Sequence, residues 1–308
     1  RQVDTKLVAQ YRKESGILQS SSVRVYYLDL IQAKMGEPSS QYSVSNRVAA
    51  IQTAFESLGV DADKLNAQST AVTSINTALS QMQELSAQIQ SMRLEIDQEI
   101  SSLCDEVSDI LQQLDKLNDD IVRTSALGGQ SADNYKDQRD LLITRLSEIM
   151  DIQSYERSSG ETVILTGGGK PLLDKDGVTV SHVPAATTGS LISYSSGGIT
   201  GIYAGKFDIT QEITSGEMSG LIKLRDTELQ DMQTQLDELA YQMTMRLNAV
   251  HNKGVGYPNA AYEMTGTRTF IDGDKQTVAL SGGDVKLILF NGDGTQAFNV
   301  SLTAELGF

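Results

Sequence analysis

Residues 72–121 read VTSINTALSQMQELSAQIQSMRLEIDQEISSLCDEVSDILQQLDKLNDDI. Apolar side chains recur at Val72, Ile75, Leu79, Met82, Leu85, Ile89, Met92, Ile96, Ile100, Leu103, Val107, Ile110, Leu114, Leu117 and Ile121. Fourteen steps cover 121 − 72 = 49 positions, a mean of 3.5, which is the heptad period of a left-handed bundle seam. Ser, Gln, Asp and Glu fill the other positions, so the opposite face is expected to be wet. Between Val60 and Leu127 there is no Gly, Pro, Phe, Tyr or Trp. Asp61 or Asp63 is placed to cap the start, and Gly128-Gly129 to end it. A helix of about 60 residues extends roughly 90 Å at 1.5 Å per residue, so a rod is expected.

One helix cannot bury such a seam alone. Partners are read on both sides of it. Residues 1–35 carry Leu7, Tyr11, Leu18, Val25, Leu28 and Ile31 at mostly helical spacing. Gly36 and Pro38 break that run, and Val44 to Leu58 resume it. A helix is expected over about Asn134–Met150, with Leu142, Leu146 and Ile149 on one side. Another should start near Ser215 or Glu217 and reach His251, with Leu221, Leu224, Leu236, Leu239, Met243, Leu247 and Val250 inward and Gly254 at its end.

Between these helices the texture changes. Thr162 to Leu165 alternate as a strand does. Asp176-Gly177 is a hairpin-type turn between Leu172-Leu173 and Val178–Val180. Leu191–Tyr194 and Ile199–Tyr203 add apolar stretches. Near the end, Val285–Phe290 and Phe298–Leu302 flank Asn291-Gly292-Asp293-Gly294, a good hairpin signal.

Composition narrows the function classes. The 308 residues carry a formal net charge of −15, which repels nucleic acid and anionic membrane alike. The sequence pI is about 4.5. No apolar run approaches a membrane span. Cys104 is the single cysteine, which excludes a disulfide scaffold and a thiolate zinc cluster, and it is expected on the surface or flank of the bundle. Hydrophobic residues make up 39% and aromatics 6%, a pattern that suits narrow apolar stripes better than a thick core. A chain opening on Arg1 is expected to begin inside a longer gene product.

The candidate chemistry is thin. LTGGGKPL at 165–172 invites comparison with a phosphate-binding loop. That loop needs a Gly five residues before the Gly-Lys pair and a Ser or Thr after the Lys. Ile164 and Pro171 stand there instead, so the glycines read as a turn. Asp174–Gly177, Asp272-Gly273-Asp274 and Asn291–Gly294 lack the ligand count and terminal Glu of a calcium loop. His182 and His251 have no partner at metal-ligand spacing, and no G-x-S-x-G elbow occurs. Met82, Met92, Met218, Met232 and Met243 read as core filling. No cofactor or metal is expected, and no catalytic role.

One further pattern is specific. Asp137-Gln138-Arg139-Asp140-Leu141-Leu142, followed by Leu146-Ser147-Glu148 and Asp151-Ile152, resembles the DQRD-x-LL stretch of flagellar hook-associated proteins of the FlgK type. Gly36-Glu37-Pro38-Ser39 with Val44–Leu58, Gly128-Gly129-Gln130, and Gly167-Gly168-Gly169-Lys170-Pro171-Leu172 resemble further family motifs in the same order. So does Gly216 through Gly220-Leu221 to Arg225-Asp226, continuing over Leu236–Asn248 to His251. Ala132 stands where the family usually has Pro. The resemblance covers about residues 1–255.

The resemblance implies an α+β fold: an elongated, flagellin-like long-helix rod with a small β part and the start of an outer β domain. The rod is expected over 1–152 and 211–254, the β part over 153–210, and the outer variable β domain over 255–308. It implies a structural subunit of the hook–filament junction ring, secreted to the extracellular flagellum. Expected partners are hook protein, the other junction protein, further copies of itself, and an export chaperone reached through a C-terminal segment missing here. Asp137, Gln138, Arg139, Asp140, Gly167, Gly168, Gly169, Pro171, Gly220, Arg225 and Asp226 are its structural motif positions. Another flagellar axial protein, a periplasmic helical-bundle sensor domain, and a polysaccharide-degrading enzyme displayed on the flagellum remain alternative readings.

Overall fold

A computed structural model describes residues 5–37, 39–126, 132–251, 286–290 and 296–301. The chain divides into two compact units, residues 1–51 with 74–242, and residues 52–73 with 243–308. Six helices carry most of the described chain: α1 (Thr5–Met35), α2 (Val44–Val60), α3 (Leu65–Ala126), α4 (Asp133–Ile149), α5 (Glu217–Lys223) and α6 (Leu229–His251). A π-helical turn, Leu224–Glu228, joins α5 to α6.

The long seam is present. α3 has 62 residues, so it extends about 93 Å at 1.5 Å per residue. From Met82 to Leu114 every expected seam position is buried. Val72, by contrast, is exposed. Sequence periodicity missed a second buried stripe beside the first: Arg93, Asp97, Cys104, Ser108, Leu111 and Asn118. Cys104 is therefore a core residue rather than a surface or flank one. Burial drives its thiol up to about 12, with Asp105 adding to the shift. This second stripe faces β-rich chain. Ser108 Oγ sits 2.9 Å from both the Val180 carbonyl and the Val180 N–H. Asn118 makes a matching pair of bonds with the backbone of Thr162.

In α1 the apolar spacing marks the buried side poorly. Of its apolar residues at helical spacing, Leu7, Tyr11, Leu18 and Val25 are exposed, Leu18 retaining 63% of its surface, while Ile31 is buried. The buried side carries Gly16, Ser20, Tyr27 and Ile31. The physical reason is close approach. A Cβ on Gly16 would lie 2.7 Å from the Ser147 carbonyl of α4, and one on Gly220 of α5 would lie 2.6 Å from the Ser20 carbonyl. α1 thus packs on α4 and α5 through backbone, where small residues do the work of large ones.

Two three-stranded antiparallel sheets lie in the first unit. One orders β1 (Ile152–Glu156), β2 (Thr162–Thr166) and β3 (Pro171–Leu173); the other orders β4 (Val180–Ser181), β5 (Tyr203–Ala204) and β6 (Phe207–Asp208). Ile152 pairs with Thr166 and Glu156 with Thr162 in the first sheet. Asp176-Gly177 closes a short antiparallel turn, with Gly177 bridging Leu173, but no ladder extends from it. It carries the chain from β3 in one sheet to β4 in the other, although Val178 N–H still bonds the Leu172 carbonyl at 2.8 Å. Leu191–Tyr194 forms turns, and of Ile199–Tyr203 only Tyr203 enters a strand.

In the second unit, β7 (Lys286–Phe290) pairs antiparallel with β8 (Gln296–Ser301), as the Asn-Gly signal implied. Gly128-Gly129, Gly254, Asp272–Asp274 and Asn291–Gly294 fall outside the described residues.

Candidate functional site

The motif glycines are explained by crowding. Gly167, Gly168 and Gly169 form the turn between β2 and β3, and Thr166 N–H meets the Lys170 carbonyl at 2.8 Å. A Cβ on Gly167 would lie 2.2 Å from Asp151 Oδ2, and one on Gly168 would lie 2.5 Å from the Glu212 carboxylate. Gly169 has a φ of +88°, which favours glycine. The two carboxylates have structural duties. Asp151 Oδ1 accepts from Thr214 N–H at 2.9 Å and Oδ2 from Thr214 Oγ1 at 2.8 Å. Glu212 pairs with Lys170 at 2.7 Å and accepts from Thr166 Oγ1 at 2.9 Å. The Lys170 bond, first, and the Thr166 bond outweigh partial desolvation and lower the Glu212 carboxyl from its ordinary value. Lys170 Nζ also donates to the Asp208 carbonyl at 2.7 Å. Pro171 opens β3, exposed, opposite Leu165. The lysine is consumed by these bonds, so nothing here cradles phosphate.

The DQRD residues split by helix face. Asp137 and Gln138 are exposed on α4. Arg139 is buried; its guanidinium donates to the Gly160 carbonyl at 2.9 Å and pairs with Glu156 at 2.7 Å, holding α4 against the β1–β2 turn. Asp140 faces α1, where Arg12 donates to its carbonyl at 3.2 Å and lies 3.6 Å from its carboxylate. Gly220 sits at the α1–α5 crossing described above.

Arg225 and Asp226 belong to a larger centre. The π turn aims Arg225 inward, where its guanidinium pairs with Asp97 Oδ1 of α3 at 2.6 Å and with Asp226 at 2.6 Å. His182 Nε2 lies 2.9 Å from the same Asp97 oxygen, and its Nδ1 lies 3.2 Å from the Gly201 carbonyl. Asp97 Oδ2 accepts from Ala185 N–H at 2.6 Å. The side chains of Asp97, His182 and Arg225 have no solvent exposure. Arg93, one turn before Asp97 on α3, is equally buried and bonds only neutral acceptors: the Arg225 carbonyl at 2.9 Å, Gln90 Oε1 at 3.2 Å, and the Gly189 and Ile192 carbonyls.

The electrostatics follow from this wiring. Burial works to raise the Asp97 carboxyl, but the bonds from His182 and Ala185 and the charge of Arg225 outweigh it and hold the carboxyl below its ordinary range. Burial likewise opposes the Arg225 charge, and Asp226 with Asp97 more than offsets it, so Arg225 stays above its ordinary value. Arg93 has no such direct carboxylate partner, and burial lowers it.

An aspartate and a histidine in contact invite a catalytic reading. Both imidazole nitrogens and both carboxylate oxygens are already engaged by protein groups, away from solvent. The centre fastens α3, the 182–192 segment and the π turn to one another. Among the described residues, no three His, Cys, Asp or Glu side chains are grouped to hold a metal. No helix there is long and apolar enough to cross a membrane.

The motif reading found Arg225 and Asp226 but missed Arg93, Asp97 and His182. One signal was available: Arg93 and Asp97 are charged residues four apart, each directly after a seam position, Met92 and Ile96. No sequence rule pairs them with His182, 85 positions away.

Comparison with known proteins supplies the family. The family described as flagellar hook-associated protein FlgK helical domain matches residues 28–269. Flagellar hook-associated protein 1 of Escherichia coli (strain K12) is 26% identical over 157 residues, 50% of this chain and 28% of that protein. The protein of the same name from Salmonella typhimurium matches with the same identity and coverage. The chain thus spans little more than a quarter of the length of these relatives. The structure of the flagellar hook junction protein FlgK from Burkholderia pseudomallei superposes with a TM-score of 0.67 at 20% identity, over 96% of this chain and 57% of that one. The long helices with small antiparallel sheets are therefore the fold of that protein. By the match over residues 28–269, the chain belongs to the FlgK helical-domain family of flagellar hook-associated proteins.

Proposed function

We propose that this chain is the helical part of a subunit that forms a ring at the hook–filament junction, adapting the flexible hook to the stiff filament. The observation that carries the reading is the family match over residues 28–269. The character of α3 supports it: its inward seam is filled within the chain, while Glu95, Gln98, Ser102, Asp105, Asp109 and Gln112 leave a long polar face for neighbours. We assign residues 1–152 and 211–254 to the helical rod, 153–210 to its β part, and 255–308 to an outer domain. Partners are hook protein, the second junction protein and further copies of the chain, with an export chaperone before assembly. Nucleic acid and membrane are not among them, consistent with the net charge of −15. In this reading the motif residues fasten the fold and do not themselves touch partners.

Cosedimentation of the full-length protein with purified hooks tests this. Saturable binding at hook tips is the expected result. No binding to hooks under conditions where the protein is folded would overturn the reading.

A further inference from the structure

A second surface stands apart from the motif positions. From Val183 to Gly205 the chain reads VPAATTGSLISYSSGGITGIYAG, with no Asp, Glu, Lys or Arg, in a protein that is 21% charged. Its first part is a strap along α3. His182 is held by Asp97, and Thr188 Oγ1 donates to the Gln90 carbonyl at 2.9 Å. Arg93 grips both ends of the turn Gly189–Ile192, whose own Ile192 N–H to Gly189 carbonyl bond is 3.1 Å. Gln230 reaches the Ser190 carbonyl from α6.

The outward side of this strap is apolar. Leu191, at the tip of the gripped turn, retains 85% of its surface, and Val183 retains 67%. Pro184, Ala186 and Thr187 are exposed between them. A fully buried arginine is ordinarily paired with a carboxylate. Arg93 instead spends two of its bonds fixing a turn whose leucine points into solvent. The backbone that presents it is thereby fixed before docking, so little backbone entropy is lost when the leucine is covered.

Charge says what fits there. Depletion of charged residues marks the core of an interface. A partner of opposite sign would be met by charges. A second copy of this chain, also at −15, meets the least local repulsion over a surface that carries no charge.

We propose that the Val183–Ile192 strap, with Leu191 as its anchor, is the contact one copy makes with the next. The proposal rests on the ring reading above and names the surface that builds the ring. Within this chain the native thiol offers no competing signal, because Cys104 is buried.

The test uses the full-length protein carrying Leu191→Cys, labelled with a maleimide free in solution and after assembly on hooks. Labelling should fall roughly tenfold or more on assembly, the loss expected when a central anchor is covered. A companion Leu191→Asp variant, with an unchanged circular dichroism spectrum, should lose roughly tenfold in ring occupancy, while Gln138→Asp at an exposed α4 position leaves occupancy unchanged. Full labelling in normally formed rings would overturn the contact and leave the ring reading standing. Protection by hooks at occupancies too low for neighbouring copies to touch would also overturn it, assigning the surface to hook protein. If the wild-type protein formed no ring, the ring reading itself would fall, and the contact with it.

Discussion

α3 and α1 are both long helices with apolar side chains at helical spacing, and only in α3 does that stripe face the core. Along α3 the partners are side chains, so large apolar residues fill the seam and the period of 3.5 reports the buried face directly. Along α1 the partners are the backbones of α4 and α5, and only Gly16 and Ser20 let them approach. Periodicity therefore finds a helix reliably. It finds the buried face only where burial is done by bulk.

The strongest way to break this comparison is to attack what α3 carries beside its seam. Asp97→Ala would leave His182 buried without a carboxylate and Arg225 with Asp226 alone. Breaking one side of such a centre costs about 3–5 kcal/mol. Urea unfolding of the 308-residue chain should show the loss as a lower midpoint. A cost under about 1 kcal/mol would mean the centre is not a fastener. Ile100→Ala, on the seam itself and fully buried, should cost about 2–5 kcal/mol by transfer and cavity terms. Equal losses at both sites would show that the charged stripe matters to α3 as much as the apolar one does.

Asp97 also predicts a pH dependence. Its carboxyl is held below the ordinary carboxylate range in the folded chain. Its contribution is therefore fully present above the unfolded value of about 3.9, and is lost as pH falls through the depressed folded value. Unfolding free energy measured downward from pH 6 should decline in acid, and Asp97→Asn should flatten part of that decline. A variant curve parallel to the wild type would remove Asp97 as a source.

Gly220→Val tests α1 directly. A Cβ there meets the Ser20 carbonyl at 2.6 Å and Val23 Cγ1 at 2.6 Å, so α1 and α5 must separate. Overpacking of this kind costs about 1–3 kcal/mol. The same substitution at Gly59, where nothing lies within 4 Å of a Cβ, should cost far less of that kind. Comparable losses at the two glycines would mean that helix propensity, not close approach, is at work.

Much of the architecture was legible. Four of the helices, the β2–β3 turn and the β7–β8 pairing follow from periodicity and Gly signals, because each is decided by neighbours in sequence. The π turn was not legible, since nothing local in Leu224–Glu228 demands an extra residue. It is held by Arg93 and Asp97 from α3, more than a hundred positions earlier. The DQRD motif was legible as a pattern but silent on roles. Only the fold shows that Arg139 turns inward to Gly160 while Gln138 faces solvent. Asp176-Gly177 was legible as a turn, and Gly177 does bridge Leu173, but the passage of the next strand into the other sheet was not.

The smallest expected effect is the most telling for α1. Leu18 looks like a core residue by type and spacing, with Tyr11 and Val25 seven positions to either side. Yet Leu18→Ser should change stability by no more than about 0.5 kcal/mol, the range of surface substitutions away from special features. The Leu7, Tyr11, Leu18 and Val25 stripe lies across the helix from Gly16, Ser20, Tyr27 and Ile31, so removing the Leu18 side chain leaves the packed side of α1 intact. A loss of 2 kcal/mol or more, the cost of emptying a core site, would mean that the stripe is buried in solution. The contrast between the two helices would then concern which segment covers each face, not whether small residues replace large ones.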